Sequence, residues 1–262
     1  MNDPVSKSME LAKRALAKSS NEEIILPEWP TSKRSTPNAF LRSALFSAIQ
    51  SKDRIFLDGV ILASQEGITI RFTGEQLNQE DLVLWETLVD LAKSSPLGDV
   101  CEFSAYEILK AMNMDTGGSS HVTLEQSVTR LIACAVKISL DGIRAYSSSL
   151  IISSATDNST NRYLIKLDRS LIKLYAQSTW IDIETRVKLR RKPLAQSLYG
   201  YYSSHKKPYP VKIETLHKFS GSKTKRLSNF KIQLTAALAE LVKVEFLESY
   251  EIDDDRVNVK KK

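Results

Sequence analysis

The hydrophobic positions of the chain recur at two spacings, one typical of helices and one typical of strands. LNQEDLVLWETLVDLAKSS (77–95) carries apolar residues at helical intervals and is followed by a proline and a glycine, so it predicts a helix. IFLDGVILAS (55–64) and ITIRFTG (68–74) instead alternate over short runs, which predicts two strands joined by a turn. The first half of the chain therefore mixes helices with strands.

Further segments complete the first half. NAFLRSALFSAI (38–49) is apolar on one side at helical spacing, and FSAYEILKAMNM (103–114) and SSHVTLEQSVTRLIACAVKI (119–138) predict two more helices around a glycine-containing turn. IRAYSSSLIISSA (143–155) and NRYLIKLD (161–168) alternate like the strands of a hairpin, with a polar turn between them. We therefore expect a hairpin after the third of these helices.

The C-terminal third repeats this order of elements. A long helix is predicted within 182–205, where Pro193 either starts a new helix or kinks the one before it. A strand-like start and a short helix follow in 209–222, and the short helix closes at Gly221. A third helix in GSKTKRLSNFKIQLTAALAEL (221–241) precedes two strands around a turn in 243–262. Helix, short helix, turn, longer helix and hairpin is the plan of a winged helix-turn-helix domain.

The fold class predicted from these patterns is α+β, with two winged helix-turn-helix domains in tandem. A length of 262 residues also favours two domains. We predict a tail or partner-binding segment at 1–28, a first domain at 29–175 for self-association and DNA backbone contacts, and a second domain at 176–262 that reads DNA. The two prolines of LPEWP (26–30) predict an extended link.

The composition is that of a globular protein, with 42% hydrophobic and 26% charged residues. We expect a cytoplasmic protein without membrane contact, because the chain has neither an apolar run of bilayer length nor the hydrophobic stretch of a signal peptide. Cys101 and Cys134 lack metal-type spacing and are interpreted as core residues.

The positive charge is concentrated near the C-terminus. Residues 181–262 contain 18 Lys and Arg against 10 Asp and Glu, whereas the first 180 residues contain 19 against 21. Within 186–231, thirteen cations accompany a single acid, Glu214. Such a segment repels itself unless a polyanion neutralises it, and duplex DNA is the densest polyanion in the cytoplasm. RNA, an acidic protein or a solvated surface remain alternatives.

The third C-terminal helix is amphipathic, with apolar residues on one face at Leu227, Phe230, Leu234, Leu238 and Leu241. Its opposite face carries side chains that suit base edges in the major groove, since Arg and Lys pair with guanine, Asn and Gln with adenine, and Ile with the thymine methyl. The predicted base-reading residues are Lys225, Arg226, Ser228, Asn229, Ile232 and Gln233.

Other polar residues of this region suit phosphate contacts. They are Arg190, Arg191, Lys192, Lys206, Lys207, Lys223, Thr224, Lys231 and Arg256. The corresponding helix of the first half offers Glu125, Gln126 and Thr129 but only one cation, Arg130, in its first eighteen residues. DNA reading is therefore assigned mainly to the second domain.

Enzymatic chemistry finds little support. SGSKT (220–224) has serine where a phosphate-binding loop needs glycine before lysine, and no glycine stands five residues earlier. His121, His205 and His217 are scattered, so they do not form the metal site of a nicking enzyme. His205 could contact a phosphate or lie in a solvated loop. The three acids at 253–255 indicate a solvated hairpin tip. We predict no catalytic residue, metal or cofactor.

Seven separated stretches of the sequence together resemble one protein family. They are LPEWP, TPNAFLRSALFSAI, LASQEGITIRFTGEQLNQEDLVLWETLVDLA, PLGDVCEFSAYEILKAM, TGGSSH, RLIACAVKI and KPLAQSLYGYYSSHKKPYPVKIETLHKFSGS. These stretches resemble the TrfA family of plasmid replication initiators, from about Leu26 to the C-terminus.

This resemblance implies two winged-helix domains that bind tandem direct repeats, or iterons, at a plasmid origin. It also implies opening of adjacent AT-rich DNA, recruitment of the host helicase, initiator and sliding clamp, and an equilibrium between monomers that initiate and dimers that limit copy number. The alternative is a winged-helix transcriptional regulator without initiator activity, which needs the same basic reading helix.

Overall fold

A computed structural model describes residues 23–157 and 162–262 of the chain. Most of the predicted tail and most of the predicted polar turn after 155 lie outside these residues. We call the described chain up to Tyr175 the first unit and the chain from Ala176 the second unit, following the predicted domain boundary. None of the described helices has both the length and the apolar composition needed to cross a bilayer.

The described residues form nine α-helices and two single-turn 3-10 helices. The α-helices are α1 (Asn38–Leu41), α2 (Gln79–Ala92), α3 (Ala105–Ala111), α4 (Gly118–Ala133), α5 (Ile172–Tyr175), α6 (Ile183–Lys188), α7 (Pro193–Ser203), α8 (Ile213–Phe219) and α9 (Leu227–Lys243). The 3-10 turns are Ser51–Asp53 and Arg169–Leu171.

Fourteen strands are found in the same residues, most of them antiparallel. They are β1 (Lys33–Pro37), β2 (Phe46–Ser47), β3 (Phe56–Leu62), β4 (Ile68–Glu75), β5 (Leu77–Asn78), β6 (Val100–Ser104), β7 (Ala135–Leu140), β8 (Ile143–Ser148), β9 (Ser153–Asp157), β10 (Arg162–Lys166), β11 (Ser178–Asp182), β12 (Val211–Lys212), β13 (Leu247–Asp253) and β14 (Arg256–Lys261). The chain is therefore a mixed α+β protein, as its sequence predicts.

The second unit has one three-stranded sheet in the order β12-β14-β13. The strand between α7 and α8 thus pairs with the last strand of the hairpin that follows α9. A sheet in the first unit has the same arrangement, in the order β6-β10-β9. The two units therefore share the order helix, strand, helix, helix and hairpin, with β7 and β8 inserted before the hairpin in the first unit.

The predicted hairpin of the first unit differs from the observed pairing. Strand β8 does not pair with β10 but with β7, in a four-stranded sheet of order β3-β4-β7-β8. Only the later part of the predicted first strand, β9, pairs with β10. The alternating pattern marks the strands correctly, but it does not show that β8 pairs with the strand just before it, across the turn at Asp141 and Gly142.

Two predicted helices are shorter than their apolar patterns suggest. Helix α1 ends at Leu41, because the next residues join strand partners: Ala44 N–H donates to the carbonyl of Ala63, and β2 pairs with β5. Helix α4 ends at Ala133, and the residues after Cys134 form β7, in which Val136 and Ile138 are buried and alternate with exposed neighbours. Burial at every second residue requires a strand.

Local signals account for other helix limits. Asn78 caps α2 by accepting hydrogen bonds from the N–H groups of Glu80 and Asp81, and Asp81 completes a capping box. Pro193 is the first residue of α7, so it starts a new helix rather than kinking one. The preceding Arg191 adopts a left-handed backbone conformation, with φ of 63°.

The two units are joined across a strand pair and a buried ion pair. Strand β1 of the first unit pairs with β11, which lies beyond the predicted boundary at Tyr175. Beside this pair, Nη2 of Arg186 lies 2.7 Å from Oε1 of Glu86, and these side chains are only 5% and 2% exposed. The same carboxylate oxygen accepts a hydrogen bond of 2.7 Å from the Thr36 hydroxyl. Three elements distant in sequence therefore meet at one carboxylate.

We expect Arg186→Met to lower the free energy of unfolding by about 3 to 5 kcal/mol, because it leaves the carboxylate of Glu86 buried without its cation. Urea denaturation followed by circular dichroism measures this loss. Lys188→Met is the matched control, since Lys188 lies in the same helix and forms an exposed pair with Glu184. Equal losses in the two variants would contradict the importance of the buried pair.

Candidate nucleic-acid interface

Helix α9 is anchored by one apolar face. Phe230, Leu234, Leu238 and Leu241 are fully buried, and the helix packs mainly on α7. This matches the predicted face except at its start, where Leu227 is 44% exposed. Leu227 is the first helical residue, so the packed face begins one turn later.

The turn before α9 is held by side chains of the second unit. The His217 ring packs edge-on against Phe230, with 4.7 Å between ring centroids, and its Nε2 lies 2.9 Å from the carbonyl of Thr224. The Thr224 hydroxyl donates to Oε1 of Gln233 at 2.8 Å. These contacts therefore join the turn to the first two helical turns of α9.

The same turn presses against the first unit. Gly221 has a left-handed backbone with φ of 60°, and a Cβ built on it would lie 2.4 Å from Oγ of Ser47. Ala48 N–H donates to the carbonyl of Ser220 at 2.6 Å, and the Lys223 ammonium donates to the carbonyl of Asp53. The orientation of α9 thus depends on the first unit as well as on its own.

The outward face of α9 presents several predicted base-reading residues together. Ser228, Asn229 and Ile232 are exposed, and the Ile232 side chain is 70% exposed even though it is apolar. Lys225 and Arg226 precede the helix and are exposed without a carboxylate partner in the described chain. Gln233 also lies on this side, but its amide oxygen is held by Thr224.

The first turn of α9 favours an anion. No side chain caps its N-terminus, so its first backbone N–H groups are directed at the space beside Lys225 and Arg226. The helix dipole adds a partial positive charge at the same place. Phosphate contact and base contact are therefore possible from adjacent residues.

Three consecutive predicted phosphate contacts lie away from this face. Arg190 donates to the carbonyls of Met112 and Asn113 at 2.5 and 2.6 Å, where it completes the C-terminus of α3. Lys192 lies 2.6 Å from Oε2 of Glu240, and the hydrogen bond it donates lowers the pKa of that carboxyl group. Arg191 lies between them, on a cavity between the units.

Lys206 and Lys207 are exposed in the loop after α7, but they lie far from the start of α9. The Lys261 ammonium, at one end of β14, donates to the carbonyl of His205. The other end of β14 borders the hairpin tip near α9, roughly 17 Å away along the strand. These two lysines therefore form a separate basic site.

The hairpin tip lies beside α9. The Lys231 ammonium donates to the carbonyl of Asp254 at 3.2 Å. Arg256 is exposed at the same tip, 3.9 Å from Asp255, which is also 3.8 Å from Lys212. Both predicted phosphate contacts, Lys231 and Arg256, thus border the outward face of α9, although nearby acids offset part of the positive charge there.

Tertiary contacts neutralise part of the basic segment that the sequence shows. Carboxylates from outside 186–231 pair with several of its cations, among them Glu86, Glu184, Glu240 and Asp255. Apart from Arg190 and Arg191, the cations of the segment that have no carboxylate partner among the described residues lie near the start of α9 and in the loop at 206–207. Glu184 lies four residues before Lys188, so helical spacing could have revealed that pair. The pairs made by Glu86, Glu240 and Asp255 join residues far apart in the sequence, which a periodic pattern does not reveal.

His205 is half-buried, and its Nε2 is enclosed without a hydrogen-bond partner among the described residues. Burial lowers its pKa below the usual value, and its Nδ1 lies 2.8 Å from the carbonyl of Tyr201. The imidazole is therefore uncharged near neutral pH. In the first unit, Arg130 is bound to Asp81 at 3.0 Å, which leaves the outward face of α4 with Glu125, Gln126 and Thr129.

Comparison with known proteins gives a family and a fold. The TrfA protein family matches residues 10–261 of the chain. The plasmid replication initiator protein TrfA of Escherichia coli is 26% identical over 240 residues, which cover 89% of this chain and 63% of that protein. The chain thus spans 63% of the length of this relative.

Solved structures of domains 2 and 3 of RctB are similar in fold. One has a TM-score of 0.58 at 12% identity and covers 86% of this chain and 98% of that chain. A second, of residues 155–483 of RctB, has a TM-score of 0.51 at 13% identity and covers 84% and 95%. The likeness spans both units, so it concerns their arrangement as well as each unit alone.

We expect Gly221→Ala to lower the free energy of unfolding by more than Gly142→Ala does. Both glycines have a left-handed backbone, which costs an alanine about 1 kcal/mol, but a Cβ at Gly142 would meet nothing within 4 Å. At Gly221 the clash with Ser47 adds to this cost. Thermal and urea unfolding of the two variants measure the difference, and equal losses would show that the turn can move away from the first unit freely.

Proposed function

The chain belongs to the TrfA family of plasmid replication initiators, and on that premise we propose that it binds direct repeats at a plasmid origin through two winged helix-turn-helix units. It would help to open the adjacent DNA and recruit host replication proteins. The observation that carries this proposal is the outward face of α9, where base-reading side chains, unpaired cations and an uncapped helix N-terminus lie together.

The winged-helix assignment rests on the topology that the two units share. In each, three helices are followed by a hairpin whose last strand pairs with the strand before the second of those helices, although β7 and β8 come between α4 and the hairpin in the first unit. In the second unit α9 would be the recognition helix, and β13 and β14 would form the wing. Winged helix-turn-helix proteins insert the recognition helix into the major groove while the wing touches the backbone.

The predicted DNA contacts lie on α9, just before it and in the segments around it. Lys225, Arg226, Ser228, Asn229 and Ile232 would face base edges, with Gln233 at the margin, where Thr224 orients its amide. Phosphate contacts would come from the neighbouring Lys223, Thr224, Lys231 and Arg256. Lys206 and Lys207 would bind a phosphate further along the duplex.

The first unit would mediate self-association and support the second unit on DNA. Its strand β3 is paired only with β4 over Phe56–Leu62, and Phe56 and Ile61 are 70% and 60% exposed there. An edge strand with large apolar side chains is a surface for a second chain. Contacts with the host helicase, initiator and sliding clamp are proposed from family membership and are not assigned to residues.

We expect Asn229→Ala and Arg226→Ala to reduce the preference for origin repeats over scrambled duplex, because each bidentate base contact contributes about 1 to 3 kcal/mol of discrimination. Lys206→Ala should weaken binding to both duplexes equally. It should also lower the slope of log K against log salt by about 0.9. Fluorescence anisotropy over a salt series separates the two behaviours.

Lys173→Ala is the control for these measurements, since Lys173 is an exposed lysine of the first unit on α5. Its slope and its preference should equal those of the unchanged protein. Loss of preference in Lys206→Ala, or unchanged preference in both α9 variants, would contradict the assignment of α9 as the reader.

The initiator activity requires a test in cells. A plasmid that carries this gene and its adjacent repeats should replicate in a host that lacks the polymerase needed by its default origin, and the Asn229→Ala version should yield fewer transformants. A transcriptional regulator would bind the repeats in vitro but give no replicating plasmid. That result would leave DNA binding intact and remove the initiator role.

A further inference from the structure

The four-stranded sheet of the first unit, in the order β3-β4-β7-β8, has one buried face and one exposed face. Ile70 and Phe72 of β4, with Val136 and Ile138 of β7, are fully buried on the inner side. The residues between them point to the opposite side, because successive side chains of a strand alternate between the two faces. We call this side the outer sheet face. Its central positions are Thr69, Arg71, Thr73, Ala135, Lys137 and Ser139, all exposed or half-buried.

The outer sheet face carries three cations. Arg71 of β4 lies directly opposite Lys137 of β7, and Arg144 of β8 lies opposite Ser139 of β7. All three cations are exposed, and none has a carboxylate partner among the described residues. The other central positions are hydroxyl side chains, apart from Ala135. Arg, Lys, Ser and Thr are the side chains that contact phosphate oxygens of nucleic acids.

The placement of two cations side by side is unfavourable for the isolated chain. Like charges directly opposite each other on neighbouring strands destabilise a sheet. Arg71 donates to the carbonyl of Gly59 at 2.7 Å, whereas Lys137 has no hydrogen-bond partner in the described part of the chain. The repulsion is relieved when anions lie over both side chains.

The acids of the same sheet lie away from its centre. Asp58 is in the edge strand β3, and Glu75 is the last residue of β4, 4.0 Å from Arg130. The three cations lie on three neighbouring strands and so spread over about 10 Å across the sheet. A row of phosphates matches this spread better than a single phosphate does.

This sheet begins beside the turn that leads into α9. The Lys223 ammonium donates to the carbonyl of Asp53, and β3 starts three residues later at Phe56. Phe56 pairs with Glu75, which is four residues from Arg71 along β4, so the cations lie about 13 Å further along the sheet. A duplex rises about 3.4 Å for each base pair, so this distance corresponds to about four base pairs.

We propose that the outer sheet face binds the phosphate backbone of the duplex beside the bases that α9 reads. Arg71 and Lys137 contact neighbouring phosphates, Arg144 contacts a further one, and the Thr69 and Ser139 hydroxyls donate to phosphate oxygens. The inference rests on the proposed origin binding, because that function supplies the duplex. The contact has no sequence preference of its own, so it raises affinity and lengthens the DNA that one chain covers.

Salt-dependent fluorescence anisotropy of the full chain tests this contact, on one repeat with about ten base pairs of duplex, or one helical turn, on each side. The double variant Arg71→Ala/Lys137→Ala should bind this duplex and a scrambled duplex of equal length each about tenfold more weakly, with an unchanged preference between them. Its slope of log K against log salt should be smaller by about 1.8, or about 0.9 for each lost phosphate contact.

Hydroxyl-radical footprinting locates the same contact. The unchanged protein should protect a backbone segment beside the one that α9 covers. The double variant should lose that segment and keep the segment of α9. The control Lys110→Ala/Lys173→Ala removes the same two charges from exposed helical positions of the first unit, and its affinity, slope and footprint should equal those of the unchanged protein.

A stability measurement separates binding from a structural role. Lys137→Thr removes one of two opposed cations, so its melting temperature should equal or exceed that of the unchanged protein, while its affinity for duplex falls. Arg71→Lys/Lys137→Arg keeps both charges and should retain the affinity and the salt slope. A lower melting temperature of Lys137→Thr with unchanged affinity would show that Lys137 is structural and would overturn the inference.

Failure of this inference is distinguishable from failure of the proposed origin binding. Equal affinity of the unchanged protein for repeat and scrambled duplexes would remove α9 as a specific reader, whereas the slope on scrambled duplex still tests the sheet. An unchanged slope and footprint in the double variant would show that the outer sheet face does not contact the duplex. Loss of binding to single strands alone, or of self-association in sedimentation without DNA, would assign the face to another partner and would equally overturn the inference.

Discussion

The arrangement of the molecule depends on a buried ion pair between Arg186 and Glu86. Each charge would be costly to bury alone, so the pair is favourable only while α6 of the second unit stays against α2 of the first. Thr36 adds a hydrogen bond to the same carboxylate, and β1 and β11 form a strand pair beside it. The ion pair, the hydrogen bond and the strand pair are directional, so they orient the two units in addition to the apolar contact between them.

This joint extends to α9, the proposed reading helix. Gly221 leaves no room for a side chain against Ser47, and Lys223 binds the carbonyl of Asp53, so the turn that leads into α9 is fixed from both units. A helix that must place amide and guanidinium groups against base edges needs such support, because small displacements lose bidentate geometry. In the proposed function, the first unit would thus support DNA reading without supplying base contacts itself.

The sequence by itself determined the elements that local patterns encode. The apolar spacing of α9, the alternating residues of β3 and β4, the proline at the start of α7 and the glycine after α8 all predicted elements that the structure confirms, because periodicity, caps and turns act within a few residues. The outward exposure of Asn229 and Ile232 followed from the same helical spacing. The family resemblance was equally readable, since it lies in contiguous stretches.

Only the tertiary structure decided which elements and charges are partners. The lengths of α1 and α4 and the pairing of Arg186, Arg190 and Lys192 depend on residues tens of positions away along the chain. A run of cations in the sequence therefore overstated the charge available to DNA. Strand pairing and burial depend on contacts between residues that are distant in sequence. Such contacts leave no periodic pattern in either of the two segments that meet.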